Sequence, residues 1–268
     1  MAVTLIEISR RFTEAEFTMA RQNRAVLAKV FGEVRVILVQ NGDMPWSPLT
    51  DFPAPVMRLN GPGDQRSAAA NRLAGAKAVT RGRHDWSIFL DSDMEVLPAF
   101  ADFLHGLPTG GPEVALCDRI DRNPQSSHES IVRPILREDR FLNLYGGFAV
   151  RGFDVADCIS VVDDLEEQWL LRNIGQAHPK ALHRYMADVG IVHHDAKPVS
   201  TRVGRHLLQG RCIGYWQGLA DKSRNGLTSE DFMFVFRGRS TVQRLKLGLA
   251  ILYAFFPFAW RRFWRRSG

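Results

Sequence analysis

The hydrophobic positions near the start of the chain follow two different periods. Val3–Ile8 alternates and is rich in β-branched residues, which is typical of a strand. Thr13–Val30 carries apolar residues at helical spacing, and Thr13 with Glu16 forms the pattern of a capping box at its start. Val34–Val39 is almost entirely apolar, as a strand buried on both faces requires. The pattern predicts a strand, a helix and a second strand in this order.

The alternation of strands and helices continues beyond this point. Val56–Leu59 has the pattern of a short strand, and Asp85–Leu90 that of a buried one. Between them, Gln65–Thr80 is an alanine-rich helical segment that Asp64 can cap. Strands joined by helices form right-handed βαβ units with parallel strands. We therefore predict a mostly parallel sheet flanked by helices.

The patterns after this sheet are weaker and more varied. Pro134 restricts its segment to the edge of a sheet, because proline lacks the amide hydrogen that a central strand donates. The other predicted elements are a helix from Pro98 to about Leu107, strands at Val114–Cys117, Ile131–Leu136, Tyr145–Val150 and Ala187–His194, a polar loop at Asn123–Glu129 and a helix at Asp163–Asn173.

Length and composition indicate a folded α/β protein. The chain has 268 residues, 45% hydrophobic and 24% charged, which suits one large domain or two small ones. Its three cysteines are far apart and show neither a disulfide framework nor zinc-site spacing, so a reducing, cytosolic setting is expected. The N-terminus lacks the basic and apolar regions of a secretory signal.

The candidate chemistry begins with Asp91 and Asp93, which follow the apolar run of the Asp85–Leu90 strand. With one residue between them, both carboxylates can point to the same side of an extended segment. Mg²⁺-type ions bind through one or two carboxylates plus substrate phosphates, and ligands of α/β sheets lie at the carboxyl ends of strands. A plain polar turn is the alternative, because aspartate and serine favour turns. We choose Asp93 as the direct metal ligand and Asp91 for the ribose or metal side.

Several segments, in order, resemble inverting family-2 glycosyltransferases over roughly residues 2–195. Ala69–Arg72 with Gly75, followed by Phe89–Met94, resembles the family's "ARN-x-G … FLD-x-D" run. Val36–Asp43 resembles its "VVDNGS" segment, and Asp163–Glu166 its acidic pair at the start of a helix. The resemblance implies the GT-A fold, a Rossmann-like, mostly parallel sheet flanked by helices.

The sequence departs from the family at three places. Ile8–Arg11 stands where the family has a Pro-Thr-Tyr-Asn-like turn, Gln40 replaces the aspartate that usually contacts the nucleobase, and Ala70 replaces the arginine of "ARN". These departures concern the donor nucleotide more than the fold.

The resemblance also implies roles for individual residues. A divalent ion, Mn²⁺ or Mg²⁺, stabilises the departing diphosphate as a Lewis acid, and imidazole ligands favour Mn²⁺. Asp164, with Asp163 beside it, is the candidate general base for an acceptor hydroxyl, and charges on a solvated helix end are the alternative. The donor-binding candidates are Asn41, Asp43, Arg66, Asn71, Asp91, Gly146 and Gly147. The metal candidates are Asp91, Asp93, His193 and His194. In the alternative interpretation, the two histidines are only a hydrogen-bonded strand end.

The composition changes near the end of the glycosyltransferase-like region, which suggests a domain at residues 1–198 and a helical extension at 199–268. Arg202–Arg211 is a basic helical segment, and Leu247–Trp260 is 14 residues without a charge, shorter than the ~20 that a spanning helix needs. Four arginines follow. We expect an interfacial membrane anchor, with a core helix packed on the sheet as the alternative. Nucleic acid is not an expected partner, because the arginines adjoin an apolar stretch.

These observations support one main hypothesis and two rivals. The first is a metal-dependent, hexosyltransferase-like enzyme, peripheral on the cytoplasmic face of the cell membrane. It would move a sugar from a nucleotide-sugar donor to a hydroxyl of a lipid-linked or cell-surface glycan with inversion. The second is a non-catalytic, membrane-associated scaffold that retains the GT-A fold. The third is a nucleotidyltransferase, which the chain supports less because it lacks a glycine-rich, basic loop after the first strand.

Overall fold

The computed structural model describes residues 2–48, 52, 56–62, 68–79, 85–123, 128–134, 136–137, 140–141, 144, 146–161 and 166–194. The predictions made for Asp64, Arg66, Asp163, Asp164 and the extension at 199–268 lie outside these residues. Within them, no helix has both the length and the apolar character needed to cross a membrane.

In the first half of the chain, the strands and helices up to residue 91 come in the predicted order. The helices are α1 (Glu14–Phe31), α2 (Ala68–Lys77), α3 (Pro98–Gly106) and α4 (Glu166–Ala177), with a short 3-10 helix at Val155–Cys158. The strands are β1 (Val3–Ser9), β2 (Val34–Gln40), β3 (Val56–Asn60), β4 (Trp86–Asp91), β5 (Met94–Val96), β6 (Glu113–Asn123), β7 (His128–Val132), β8 (Leu136–Arg137), β9 (Arg140–Phe141), β10 (Gly147–Arg151) and β11 (Leu182–His194).

The main sheet is mixed rather than wholly parallel. Its order is β3-β2-β1-β4-β10-β6-β11-β5, with β7 paired to β6, while β8 and β9 form a separate pair. Strands β3, β2, β1 and β4 are parallel, as the βαβ pattern predicts. Strand β10 then runs antiparallel to both β4 and β6, and β5 runs antiparallel to β11. The sheet is therefore an α/β sheet with a parallel half and a mixed half.

Helices cover both faces of the parallel half. Leu5 of β1 packs in the cluster that includes residues of α1 and α3, while its neighbour Ile6 packs in the cluster that includes residues of α2 and α4. Ile88 and Phe89 of β4 divide in the same way. Successive strand side chains point to opposite faces, so a strand covered on both sides is apolar at most positions. This explains the unbroken apolar runs in β2 and β4.

The start of α1 confirms the predicted capping box. The Thr13 hydroxyl accepts from the amide of Glu16 at 3.4 Å, and the Glu16 carboxylate accepts from the amide of Thr13 at 2.7 Å. Each interaction satisfies an amide that has no partner inside the helix. Phe17, Ala20 and Leu27 are the apolar residues that α1 buries.

The predictions for the second half were less accurate. Strand β11 begins at Leu182, earlier than expected, and β6 extends to Asn123. Strand β7 begins at His128, inside the predicted polar loop, and β5 was not predicted. The two long strands β6 and β11 pair along most of their length, so pairing rather than local pattern sets where they end. A strand as short as β5 carries no readable period.

Glu7 of β1 gives the fold a specific dependence on pH. Its side chain is fully buried and accepts a hydrogen bond from Asn23 of α1 at 2.8 Å. Burial is the main cause that raises the pKa of Glu7 from 4.5 to about 8. The folded protein therefore keeps a proton that the unfolded chain releases above pH 4.5, so this residue's contribution to stability is full below 4.5 and is lost as the pH rises to about 8.

We expect Glu7→Gln to remove this loss. Glutamine does not ionise, so the difference in free energy of unfolding, variant minus native, should rise between pH 4.5 and about 8. The slope should be at most about 1.4 kcal/mol per pH unit. Urea unfolding of both proteins at several pH values measures the difference. Glu33→Gln, which removes a charge at an exposed position, is the control. A difference between Glu7→Gln and the native protein that stays constant with pH would contradict the buried, protonated carboxyl.

Candidate active site

Three parallel strands end together at one edge of the sheet. Ser9, Gln40 and Asp91 are the last residues of β1, β2 and β4. In register, Ser9 lies opposite Gln40, and Asp91 lies opposite the residue before Ser9. Ligands of open α/β sheets bind outside this edge. The polar side chains that follow these strands therefore form the candidate site.

Asp91 is fixed by a buried arginine. Nη2 of Arg72, on α2, donates to Oδ1 of Asp91 at 2.8 Å, and the Arg72 side chain is only 2% exposed. On the other side, a Cβ at Gly146 would lie 2.1 Å from Asp91 Oδ2, so only glycine lets the backbone approach this carboxylate. The ion pair with Arg72 therefore orients the Asp91 carboxylate at the edge of the sheet. The sequence signal for Arg72 was a charged residue within an alanine-rich helical segment. Sequence reasoning did not connect this residue with Asp91.

The chain between the two aspartates is a turn, not an extended segment. Asp91 ends β4, residues 92 and 93 form the turn, and β5 begins at Met94. The prediction that both carboxylates share one side of an extended segment was therefore wrong, because the reversal into β5 gives each its own partner. The Asp91–Asp93 turn, as we name this segment, places Asp91 beside Arg72 and Asp93 beside His193.

Glu16 anchors the middle of the Asp91–Asp93 turn. Besides capping α1, its carboxylate accepts from the hydroxyl of Ser92 at 2.6 Å and from that of Ser9 at 2.8 Å. The amide of Ser92 donates to the carbonyl of Ile8 at 2.9 Å. One carboxylate thus joins the end of β1, the start of α1 and the turn. Sequence reasoning identified Glu16 only as a cap, because Ser92 is 76 residues away along the chain.

His193, on β11, lies between two carboxylates. Its Nε2 is 3.3 Å from Oδ2 of Asp93, and its Nδ1 is 3.1 Å from Oδ1 of Asp121 on β6. Burial alone lowers the pKa of the imidazole, but the hydrogen bonds to Asp121 and Asp93 outweigh burial and raise the pKa to about 9. Without a metal, His193 is therefore a cation at neutral pH that joins β11 to the Asp91–Asp93 turn.

The four metal candidates do not form one cluster. His194 follows His193 on a strand, so it points to the opposite face, where its Nε2 lies 2.8 Å from Oε2 of Glu95. Asp91 is paired with Arg72, which leaves Asp93 and His193 as the two candidates in contact. In the part of the chain that the structure describes, no three histidine, cysteine or acidic side chains converge as a metal site.

One carboxylate and one imidazole nevertheless fit a divalent ion that takes its remaining ligands from a substrate. Such ions bind through one or two carboxylates together with phosphate oxygens and water. Imidazole nitrogen suits transition metals such as Mn²⁺ better than Mg²⁺. The donor set of Asp93 and His193 therefore matches Mn²⁺ held jointly by the protein and a diphosphate.

Two of the donor-binding candidates are joined beneath the edge of the sheet. Nδ2 of Asn71 donates to Oδ1 of Asn41 at 3.0 Å and to the carbonyl of Ser9 at 3.2 Å. Both asparagines are buried, and among the residues that the structure describes Asn71 Oδ1 has no hydrogen-bond partner. Asp43, by contrast, is exposed in the turn after β2. Asn41 and Asn71 therefore link the ends of β1 and β2, and Asp43 is the exposed candidate beside them.

Gln40, which departs from the family at the nucleobase position, and the donor-binding candidate Gly147 both contact other parts of the fold. The Gln40 side chain is buried, with Oε1 accepting from the Phe12 amide at 3.3 Å and Nε2 donating to the Met44 carbonyl at 2.6 Å. Its amide group therefore hydrogen-bonds to the loop after β1 and to the loop after β2. Gly147 is buried in β10, where a Cβ would lie 2.7 Å from Cδ1 of Ile191, an apolar contact of the core.

Comparisons with known proteins give matches in structure but not in sequence. No family model and no curated protein sequence matches the chain. A mannosyltransferase from Pyrobaculum calidifontis, solved with GDP-Man and Mn²⁺, matches with a TM-score of 0.55 at 12% identity, covering 94% of this chain and 72% of that one.

Two further structures match more weakly. Glucosyl-3-phosphoglycerate synthase from Mycobacterium tuberculosis, in complex with Mn²⁺, UDP and phosphoglyceric acid, has a TM-score of 0.48 at 12% identity and covers 75% of this chain and 73% of that one. The inositol-1-phosphate CTP transferase from T. maritima has a TM-score of 0.47 at 9% identity and covers 74% and 92%. At these identities a match concerns the fold, and the mannosyltransferase match carries it: the chain has the mixed α/β fold of GT-A-type glycosyltransferases.

Proposed function

We propose that the protein is a metal-dependent glycosyltransferase that moves a sugar from a nucleotide-sugar donor to an acceptor hydroxyl with inversion. The observation that carries the proposal is the Asp91–Asp93 turn at the carboxyl edge of the parallel strands, with His193 against Asp93. Enzymes with similar folds include one solved with GDP-Man and Mn²⁺. The fold and this pair of side chains together support a donor diphosphate bound at the edge.

Each described residue of the site has a distinct task in this proposal. Asp93 and His193 would hold the divalent ion, which when bound stabilises the charge that develops on the departing diphosphate. Arg72 directs Asp91 toward the ribose, because its ion pair occupies one carboxylate oxygen. Gly146 lets the backbone lie directly against Asp91. The nucleoside would then lie over the ends of β1 and β2, beside Asp43.

The general base is assigned from the sequence resemblance. Asp164, with Asp163 next to it, precedes α4, whose described part begins at Glu166. The positive end of a helix dipole favours an ionised carboxylate at such a position. Asp164 would accept the proton of the acceptor hydroxyl as that oxygen attacks the sugar carbon on the face opposite the leaving diphosphate.

The acceptor class follows from the C-terminal extension. The uncharged segment Leu247–Trp260 and the arginines after it have the composition of an interfacial anchor. We therefore propose a peripheral enzyme at the cytoplasmic face of the cell membrane, with a lipid-linked or cell-surface glycan as acceptor. From the sequence resemblance we also propose Arg66 as a donor-binding residue, for a phosphate or the ribose.

A thermal-shift screen with UDP, GDP, CDP and dTDP, each with and without Mn²⁺, tests the proposal. We expect one nucleotide to raise the melting temperature only when Mn²⁺ is present, since a ligand at a hundred times its Kd adds about 2.7 kcal/mol to the native state. Sugar transfer is then measured with the matching nucleotide sugar. Asp164→Asn should keep the thermal shift and lose transfer. Binding of none of the nucleotides would favour the non-catalytic scaffold instead.

A further inference from the structure

The two contacts of the His193 imidazole differ in their surroundings. The Asp93 carboxylate, facing Nε2, is 46% exposed, whereas the Asp121 carboxylate, facing Nδ1, is 16% exposed. Nε2 therefore faces the more exposed carboxylate, in the Asp91–Asp93 turn, and Nδ1 faces the less exposed one, on β6. A ligand approaching from the edge of the sheet meets Nε2 and Asp93 together.

Strand pairing and an ion pair on its own strand place Asp121 beside the imidazole ring. It lies directly opposite His193 in the register of β6 and β11, so the sheet itself sets their separation. Nε of Arg119, two residues earlier on the same strand, lies 2.9 Å from Oδ1 of Asp121. The Asp121 carboxylate thus contacts a cation on its own strand and the imidazole on the next strand.

We propose that Asp121 is the positioning residue for a metal-binding His193. It accepts the Nδ1–H of the imidazole, so that the proton displaced by a metal ion is the one on Nε2, whose lone pair then faces the turn that carries Asp93. This inference rests on the proposed function, because it takes a divalent ion at Asp93 as its starting point. Histidines that bind metals donate their other ring hydrogen to a carboxylate or carbonyl, which fixes the tautomer and raises the basicity of the ligand nitrogen.

The neighbouring pair of His194 and Glu95 supplies a matched comparison. It has the same two chemical groups at a similar distance, 2.8 Å, one residue further along β11. Because adjacent strand residues face opposite sides, this pair does not share the turn with Asp93. Removing the carboxylate of Glu95 therefore changes the charge near β11 without changing the ring that faces the candidate metal.

The test is Mn²⁺ binding to the full-length protein, followed by electron paramagnetic resonance, first alone and then with the nucleoside diphosphate found in the thermal-shift screen. We expect bound Mn²⁺ to show nitrogen coupling from one imidazole in the native protein. Asp121→Asn, which keeps the shape and a weaker acceptor, should reduce Mn²⁺ affinity about tenfold, and Asp121→Leu up to about a hundredfold. Glu95→Gln should bind Mn²⁺ as the native protein does.

The outcomes separate this inference from the proposed function. Unchanged Mn²⁺ affinity and nitrogen coupling in Asp121→Asn would overturn the role of Asp121. Native protein that binds Mn²⁺ without nitrogen coupling would overturn His193 as a ligand, while nucleotide-dependent transfer could still proceed through Asp93. Absence of Mn²⁺ binding even with nucleotide would defeat both. If Asp121→Leu does not fold, as judged by circular dichroism, the isosteric Asn variant decides.

Discussion

Replacement of Asp93 by alanine is expected to reduce sugar transfer about a thousandfold while the protein remains folded. Asp93 is half exposed in the Asp91–Asp93 turn and contacts only His193 among the described side-chain ion pairs, so its loss removes little from the core. Metal-assisted stabilisation of a leaving diphosphate is worth several kcal/mol, and about 4 kcal/mol corresponds to a thousandfold change in rate. Initial rates of transfer with Mn²⁺, and urea unfolding of the same samples, measure the two effects.

Glu95→Ala is the matched control for this experiment. Glu95 is a similarly exposed carboxylate two residues away, and it faces His194 rather than His193. A general loss of negative charge near β5 would affect both variants equally. We expect Glu95→Ala to retain transfer, so that equal losses in the two variants, or full activity of Asp93→Ala, would remove Asp93 from the metal site.

A second large effect is expected at the opposite end of the sheet, where Glu113→Gln should destabilise the fold by about 3–5 kcal/mol. The Glu113 side chain is fully buried and accepts from Arg151, itself 1% exposed, and from Arg184 at 2.8 Å. The Arg151 guanidinium also donates to the carbonyl of Pro108 and lies 4.4 Å from the centre of the Trp86 ring. Removing the carboxylate leaves a buried cation without its main counter-charge.

Urea unfolding of three variants tests the buried pair. Glu129→Gln breaks an exposed ion pair with Arg122, between neighbouring strands of the same sheet, and exposed pairs contribute only about 0–1 kcal/mol. Combining Glu113→Gln with Arg151→Met should restore part of the lost stability, because the uncompensated charge is then gone. Similar losses in Glu113→Gln and Glu129→Gln would show that burial does not strengthen the interaction in this protein.

Local patterns predicted some elements of the site correctly and gave no information on others. The aspartates were found because they follow an apolar run, and His193 because it ends one. Arg72 was read only as part of a motif, yet its buried ion pair determines which way Asp91 points. The partner of His193 on β6, Asp121, was not identified at all, because it lies 72 residues away and in no local pattern.

The same division holds for the sheet. Period and apolar continuity predicted β1, α1, β2 and β4, because each element is covered on the same faces throughout its length. The antiparallel insertion of β10 between β4 and β6 has no such signal, since a strand's direction depends on how the chain returns to the sheet. The mixed half, and with it the position of β11 beside β5, could be known only from the pairing.

The sequence by itself thus determined the parallel half of the sheet and the two aspartates at its carboxyl edge. Hydrophobic period and strand ends are local properties, and a single sequence records them directly. Only the tertiary structure decided which groups meet there: Arg72 with Asp91, Glu16 with Ser92, and His193 with both Asp93 and Asp121. These contacts join residues distant in the chain, and their distances follow from strand order and register rather than from the residues' own neighbours.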